Sequence, residues 1–231
     1  MGEKFVPTMP VVGLAIALGG PLLLVLLVRC LALDAVSLAS RLTLWALAGI
    51  VLAIAVHDGG SWPSMMGIGP FGWTDFLTTV VAIVVMLVGA IVLQLCVAKL
   101  GFNRASGSGL QKKIYALSAR YRVFMIFTAA VTEEILYRGY AIGIGQSVFG
   151  SLSVAFAVSL IVFVAAHFTH GAKALVTIFW VSLVMSLLFV YTGNLITCML
   201  AHFAVDAFGV LFAPWAMARQ QARAELATGN G

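Results

Sequence analysis

Charge is what this sequence has least of. Only 9% of its 231 residues are Asp, Glu, Lys or Arg, while 62% are hydrophobic and the mean hydropathy is +1.11. A water-soluble domain carries about a quarter charged residues, so an ordinary soluble globule is excluded. Cysteine is scarce as well: Cys30, Cys96 and Cys198 lie in or beside separate apolar runs without CxxC spacing, which argues against a disulfide framework or a zinc knuckle. No HExxH pair occurs, and Gly143-Ile144-Gly145 follows an apolar run instead of a strand, so it is no nucleotide loop. There is no internal repeat and no low-complexity tract.

What the chain has in abundance is long apolar runs. Seven can be placed, at about 10–29, 42–56, 74–98, 121–142, 150–168, 173–191 and 195–213. Each approaches the roughly 20 residues that a helix needs to cross a hydrocarbon core about 30 Å thick. The expected fold is therefore all-α, a polytopic transmembrane helical bundle of about seven spans, within a range of six to eight. It forms a single membrane domain over 1–231, with N-terminal helices in 1–108 and a chemically richer half in 109–231. The first run is long for a signal peptide and lacks a convincing cleavage motif, so it reads as a retained helix. Gly19-Gly20-Pro21 should kink it. Between runs lie turn formers: Asp58-Gly59-Gly60, Gly67 to Pro70, Gly101 to Gly109, Gly143 to Gly150, Gly171 and Gly193-Asn194.

Thirteen basic and eight acidic residues leave a net charge of +5. Eleven of the basic residues fall on one side if the connections alternate: Arg29, Arg41, Lys99, Arg104, Lys112, Lys113, Arg120, Arg122, Lys173, Arg219 and Arg223. The positive-inside rule then puts the N-terminus outside and the C-terminus in the cytoplasm, and leaves no role for nucleic acid. Segment 109–122 mixes basic and apolar residues at helical spacing and is expected to lie along the cytoplasmic interface as an amphipathic helix. Trp45, Trp62, Trp73, Trp180 and Trp215 fall near run ends or in loops, as interfacial anchors do.

Ionisable groups inside apolar runs cost about 3 kcal/mol each at a bilayer centre, so those retained point to function. They cluster here. The fourth run carries Glu133-Glu134 and Arg138; the fifth carries Phe163 and His167, followed by His170; the seventh carries His202 and Asp206. On a helix Glu134 and Arg138 share a face, as do His202 and Asp206, while Glu133 points about 100° away from its neighbour. Peptide hydrolysis needs a base for water, an acid for the leaving amine and donors for the oxyanion, and this inventory suffices for all three. Intramembrane Glu, His and Asp also build proton relays, which keeps a proton-coupled transporter or channel as the alternative, although no inverted repeat supports it. A non-catalytic immunity or scaffold protein is a third reading. His57 and Asp58 read as an exposed loop pair, His170 as a solvated helix cap and Phe163 as a packing residue.

Glu133-Glu134-xxx-Arg138, Phe163-xxx-His167 and His202-xxx-Asp206, in that order on three hydrophobic helices, resemble the CPBP family of CAAX proteases and bacteriocin-processing enzymes, also called ABI. This group includes the type II CAAX prenyl endopeptidase. The resemblance covers 133–206. It implies an intramembrane endopeptidase in which Glu133 is the general base for the attacking water together with His167. His202 and Asp206 would stabilise the oxyanion, and Glu134 with Arg138 would orient the site. Asp206 departs from the Asn common in the prenyl endopeptidases; an ionised aspartate repels an oxyanion, so it must be protonated or else orient His202. The resemblance also admits a metallopeptidase, for which Glu134, His167 and His202 form the zinc set, with His167 and His170 as a second local pair. A glutamate-histidine mechanism without a tightly bound metal is favoured. The partners expected are the lipid bilayer and a membrane-associated protein or peptide, CAAX-like or a bacterial precursor. The short loops and compact chain suggest a prokaryotic inner or plasma membrane.

Overall fold

The computed structural model describes residues 8–59, 61–99, 109–215 and Arg219. Among them there is no strand. Two long apolar helices come first, α1 (Thr8–Cys30) and α2 (Leu38–His57), the second capped by the Ser37 hydroxyl, which accepts from Ser40 N. A four-residue helix, α3 (Trp62–Met65), precedes α4 (Trp73–Lys99), and a short surface helix, α5 (Gly109–Ala116), leads into α6 (Ala119–Glu133). From Glu133 the chain continues without a break into a π-helix, Glu134–Ile144, and then α7 (Gly145–Phe149). The remainder is α8 (Leu152–Ala166), a 3₁₀ turn at Phe168–His170, α9 (Ala172–Thr192), and α10 (Leu195–Ala207), which passes into a second π-helix at Phe208–Phe212. Five helical stretches are long and apolar enough to span a bilayer: α1, α2, α4, α9 and Leu195–Trp215. With the α6–α7 rod and the shorter α8 they make a polytopic helical bundle, and the chain is an integral membrane protein.

The rod of α6, the π-helix and α7 is the axis of the bundle. Every residue from Glu134 to Ile144 is buried, packed by α1, α2, α8 and α10. Gly143 is required for one of these contacts, because a Cβ there would overlap the Met65 carbonyl. The α3 turn thus closes over the C-terminal end of the rod, fixed further by Leu195 N donating to Gly67 O at 2.7 Å. By contrast α4 buries only Thr79, Ala82 and Met86 and presents the rest of its apolar surface outward. It is held to α9 where Gly89 admits the Trp180 indole, whose Nε1 donates to Val85 O at 3.3 Å.

Several expectations change in detail. The fourth run does not end near 142; the helix persists to Phe149, and only Gly150, at φ 67°, turns the chain. Gly143 and Gly145 are therefore helix-packing residues and not a connection. Segment 109–122 is split: α5 stops at Ala116, and Ser118 caps a new helix by accepting from Tyr121 N. The amphipathic interfacial element is thus shorter than expected. Helix α1 continues past Gly19-Gly20-Pro21 to Cys30, so the expected kink site lies within the helix, with Pro21 buried. Trp45 and Trp180 are half-buried and bond to neighbouring helices, Trp45 donating to Thr128 Oγ1 at 3.1 Å. The stretch 100–108 and Arg223 lie outside the described residues.

Helix α8 is short and ends at the site. Its 15 residues rise about 23 Å, short of a hydrocarbon core of about 30 Å. His167 is its C-cap residue, and the 3₁₀ turn and Gly171 follow directly. Counting a run from 150 to 168 places His167 nearer the cytoplasm than Glu133; the early end of α8 brings the two together.

Candidate active site

Adjacent glutamates at the junction of α6 and the π-helix face different surroundings. Glu133 lines a large half-open cavity of about 1570 Å³ that reaches the end of the bundle bearing Arg29, Lys113 and Lys173. Its Oε2 stands 4.0 Å from His167 Nε2. The His167 ring is oriented from behind, since its Nδ1 donates to Phe163 O at 2.8 Å. With the proton on Nδ1, Nε2 presents a lone pair toward the Glu133 carboxylate. At 4.0 Å the two do not bond directly, and a gap of this kind between polar atoms is the size that a bridging water spans.

Glu134 is fully buried and does not line the cavity. Its Oε1 accepts from Arg138 Nη1 at 2.8 Å and from His202 Nδ1 at 2.7 Å. Arg138, also buried, reaches across to α9, where its Nη2 donates to Ser182 Oγ at 2.7 Å and to Ser182 O at 3.2 Å. One carboxylate oxygen therefore ties three helices together. His202 in turn faces Asp206, with 3.5 Å between Nε2 and Oδ2, so that its imidazole is held between a sealed carboxylate and one that lines the cavity. The expected shared faces, Glu134 with Arg138 and His202 with Asp206, are both present.

Phe163 joins the two groups. Its ring lies under the Arg138 guanidinium, 4.8 Å from Cζ, meets Tyr137 edge-on at 4.9 Å, and tilts against the His167 ring at 4.5 Å. Sequence reasoning assigns Phe163 only to packing; the cation–π contact and the carbonyl that fixes the His167 tautomer are additional. Ser182 and Tyr137 are not anticipated at all. A serine inside an apolar helix has no positional signature, although the Glu-xxx-Arg pair implies that some acceptor must meet the remaining guanidinium protons. His170 is half-buried, not solvated. Its Nδ1 lies 3.1 Å from His167 O, and burial together with the neighbouring His167 holds its imidazole below the usual histidine range. His57 and Asp58 are exposed, as expected.

The zinc set Glu134, His167 and His202 does not fit what is present. Glu134 Oε1 already accepts from a guanidinium and from the imidazole nitrogen of His202, whereas His167 turns toward Glu133 on the other side of the junction. A cation at Glu134 would stand beside Arg138. Among the described residues, no group of three or more His, Cys, Asp or Glu is arranged to hold a metal ion.

A membrane helical bundle with paired acid and base groups at the foot of a cavity is the class that fold and site define. Residues 116–208 match the family described as type II CAAX prenyl endopeptidase, Rce1-like. That segment runs from the end of α5 to the second π-helix and contains all three motifs, so the expected family resemblance is borne out over it. The chain is also similar to the uncharacterized protein YpbD of Bacillus subtilis (strain 168), with 32% identity over 102 residues. This covers 43% of the chain and about half (49%) of that relative's length. No solved structure matches.

Proposed function

We propose that this protein is an intramembrane endopeptidase in which Glu133 and His167 activate water against a peptide bond of a membrane-associated substrate. The observation that carries the reading is the 4.0 Å separation of Glu133 Oε2 and His167 Nε2 at the cavity floor, with the His167 tautomer set by Phe163 O. Water between them gives a proton to Glu133 as its oxygen adds to the carbonyl carbon. Glu133 then returns that proton to the leaving amine as the tetrahedral intermediate collapses. His202 and Asp206 face the same cavity, and His202 is suited to meet the carbonyl oxygen. For this the ring is doubly protonated, its Nδ1–H given to Glu134 and its Nε2–H shared between Asp206 and the carbonyl oxygen, which accounts for a carboxylate where an amide is common in the prenyl endopeptidases. Glu134, Arg138 and Ser182 keep His202 in place and take no part in bond making.

The N-terminus lies outside and the C-terminus in the cytoplasm, so substrate enters from the basic, cytoplasmic end of a prokaryotic membrane. Segment 109–231 is the catalytic half, and the earlier helices wall the cavity through residues such as Leu24, Val28 and Leu44. A CAAX-like protein or a bacterial precursor peptide fits such a site. The test is a comparison of new protein termini in membranes expressing wild type or Glu133→Ala at matched levels. Termini present only with wild type support the reading and give the cleavage sites. Identical termini, with proton or solute flux that depends on Glu133 in proteoliposomes, overturn it.

A further inference from the structure

Helix α4 carries one amide where everything around it is apolar. Between Thr79 and Lys99, Gln94 is its only side chain with an amide, a hydroxyl or a charge. A carboxamide facing hydrocarbon loses its hydrogen bonds to water, so Gln94 is costly on this helix unless it faces something other than lipid. The cavity wall shows what it faces. Leu93, Gln94, Val97 and Ala98, spaced as one face of a helix, line the cavity that Glu133 and Asp206 also line, whereas Val92, Leu95, Cys96 and Lys99 of the same turns do not. Past Met86 no residue of α4 is buried, and Gln94 is exposed. Within the described residues no hydrogen bond occupies its carboxamide.

Its depth follows from the packing of α4 on α9. Asn194 Nδ2 donates to Pro70 O at 3.1 Å, which sets the end of α9 beside the start of α4 and makes the two helices antiparallel. Gly89 lies against the Trp180 indole, and Trp180 is two residues from Ser182, the residue that Arg138 reaches. Gln94 is five residues beyond Gly89, about 8 Å nearer the basic end. It therefore stands on the way in to the Glu133–His167 pair and not at the pair itself. A carboxamide offers an acceptor oxygen and two N–H donors, the complement of a peptide unit's N–H and C=O. Being neutral, it selects no charge. In an open cavity water meets such a group, and a ligand that displaces the water keeps its bonds only by supplying both a donor and an acceptor.

We propose that Gln94 is a specificity-determining residue that hydrogen-bonds a main-chain peptide unit of the substrate, one other than the scissile bond and on the stretch that lies toward the basic end. This rests on the peptidase reading above and adds to it how the peptide is held. Bound by its main chain at Gln94, the substrate lies extended along the inner half of α4 and presents a later bond to Glu133 and His167. The requirement at that position falls on an unpaired, extended backbone and not on a particular side chain, so substrates share a stretch free of secondary structure more than a sequence.

The experiment uses the full-length protein in nanodiscs and peptides spanning the cleavage sites recovered from the terminus comparison. In each peptide one amide at a time, the scissile one excepted, is replaced by an ester, which removes the N–H and weakens the carbonyl as an acceptor while keeping the shape. For wild type, one ester position is expected to lower kcat/KM about fivefold, mainly through KM. Gln94→Met keeps the length of the side chain without its hydrogen-bonding groups. It should lower kcat/KM for the all-amide peptide by a similar factor and bring the ester at that position to within twofold of the all-amide form. Because the ester-to-amide ratio is taken within one preparation, it does not depend on how much of a variant folds. Wild type indifferent to every ester would overturn the proposal. So would an ester penalty that persists in Gln94→Met, or an equal slowing of all peptides in that variant through kcat, which would make Gln94 a packing residue. Wild type that cleaves none of the peptides would overturn the peptidase reading itself.

Discussion

Glu133 and Glu134 are neighbours in sequence and opposites in surroundings. The first opens on a cavity with an imidazole across a 4.0 Å gap, while the second is sealed, with both Arg138 and His202 on one of its oxygens. A glutamate can be a base only where it keeps access to water, and it can be a strut only where every approach is filled. The chain obtains both from one dipeptide by pointing successive residues of a helix about 100° apart.

Substitution separates the two roles. The largest effect is expected from Glu133→Gln, which keeps shape and loses the base: cleavage should fall at least a thousandfold, about 4 kcal/mol of barrier, with no change in the melting temperature of the purified protein. Arg138→Met should do the reverse, lowering stability by roughly 3 kcal/mol because the buried Glu134 keeps only the His202 imidazole as a partner. Thermal unfolding in detergent would measure it, and adding Glu134→Gln should restore a substantial part. If the double variant were no more stable than the single one, the sealed side would not be an ion-pair strut. Ser182→Ala removes one hydrogen bond from the guanidinium and should cost about 1.5–2 kcal/mol in the same assay. Phe163→Leu keeps bulk but loses the ring under Arg138 and against His167; about tenfold slower cleavage is expected, near 1.4 kcal/mol. The smallest effect belongs to His170→Ala. Because burial and His167 keep the His170 imidazole below its usual range, it carries no charge at neutral pH, and its loss should leave both the rate and the pH profile of cleavage within twofold of wild type.

The sequence made the fold class legible because apolar runs of spanning length have few other uses. It also made the division of the two glutamates legible, since i, i+4 spacing joins Glu134 to Arg138 and leaves Glu133 out. What it hid depends on contacts that leave no period. The π-helix over 134–144 is buried on all sides, so no polar face marks its register, and only the close approach at Gly143 hints at an unusual packing partner. Ser182 acts from another helix 44 residues away. The end of α8 at Ala166 is invisible to hydropathy because Phe168 continues the apolar pattern past it. Each miss concerns where a helix stops or what it meets, which tertiary packing decides.

The brevity of α8 has a consequence for the lipid around it. Where a helix about 7 Å shorter than the hydrocarbon core borders lipid, the mismatch is met by a thinner bilayer, by snorkelling of flanking residues or by oligomerisation. Bilayers of shorter acyl chains already have that thickness. The mismatch therefore ties the energy of this protein's surroundings to membrane thickness, and a thicker, more ordered bilayer will cost more to deform beside α8.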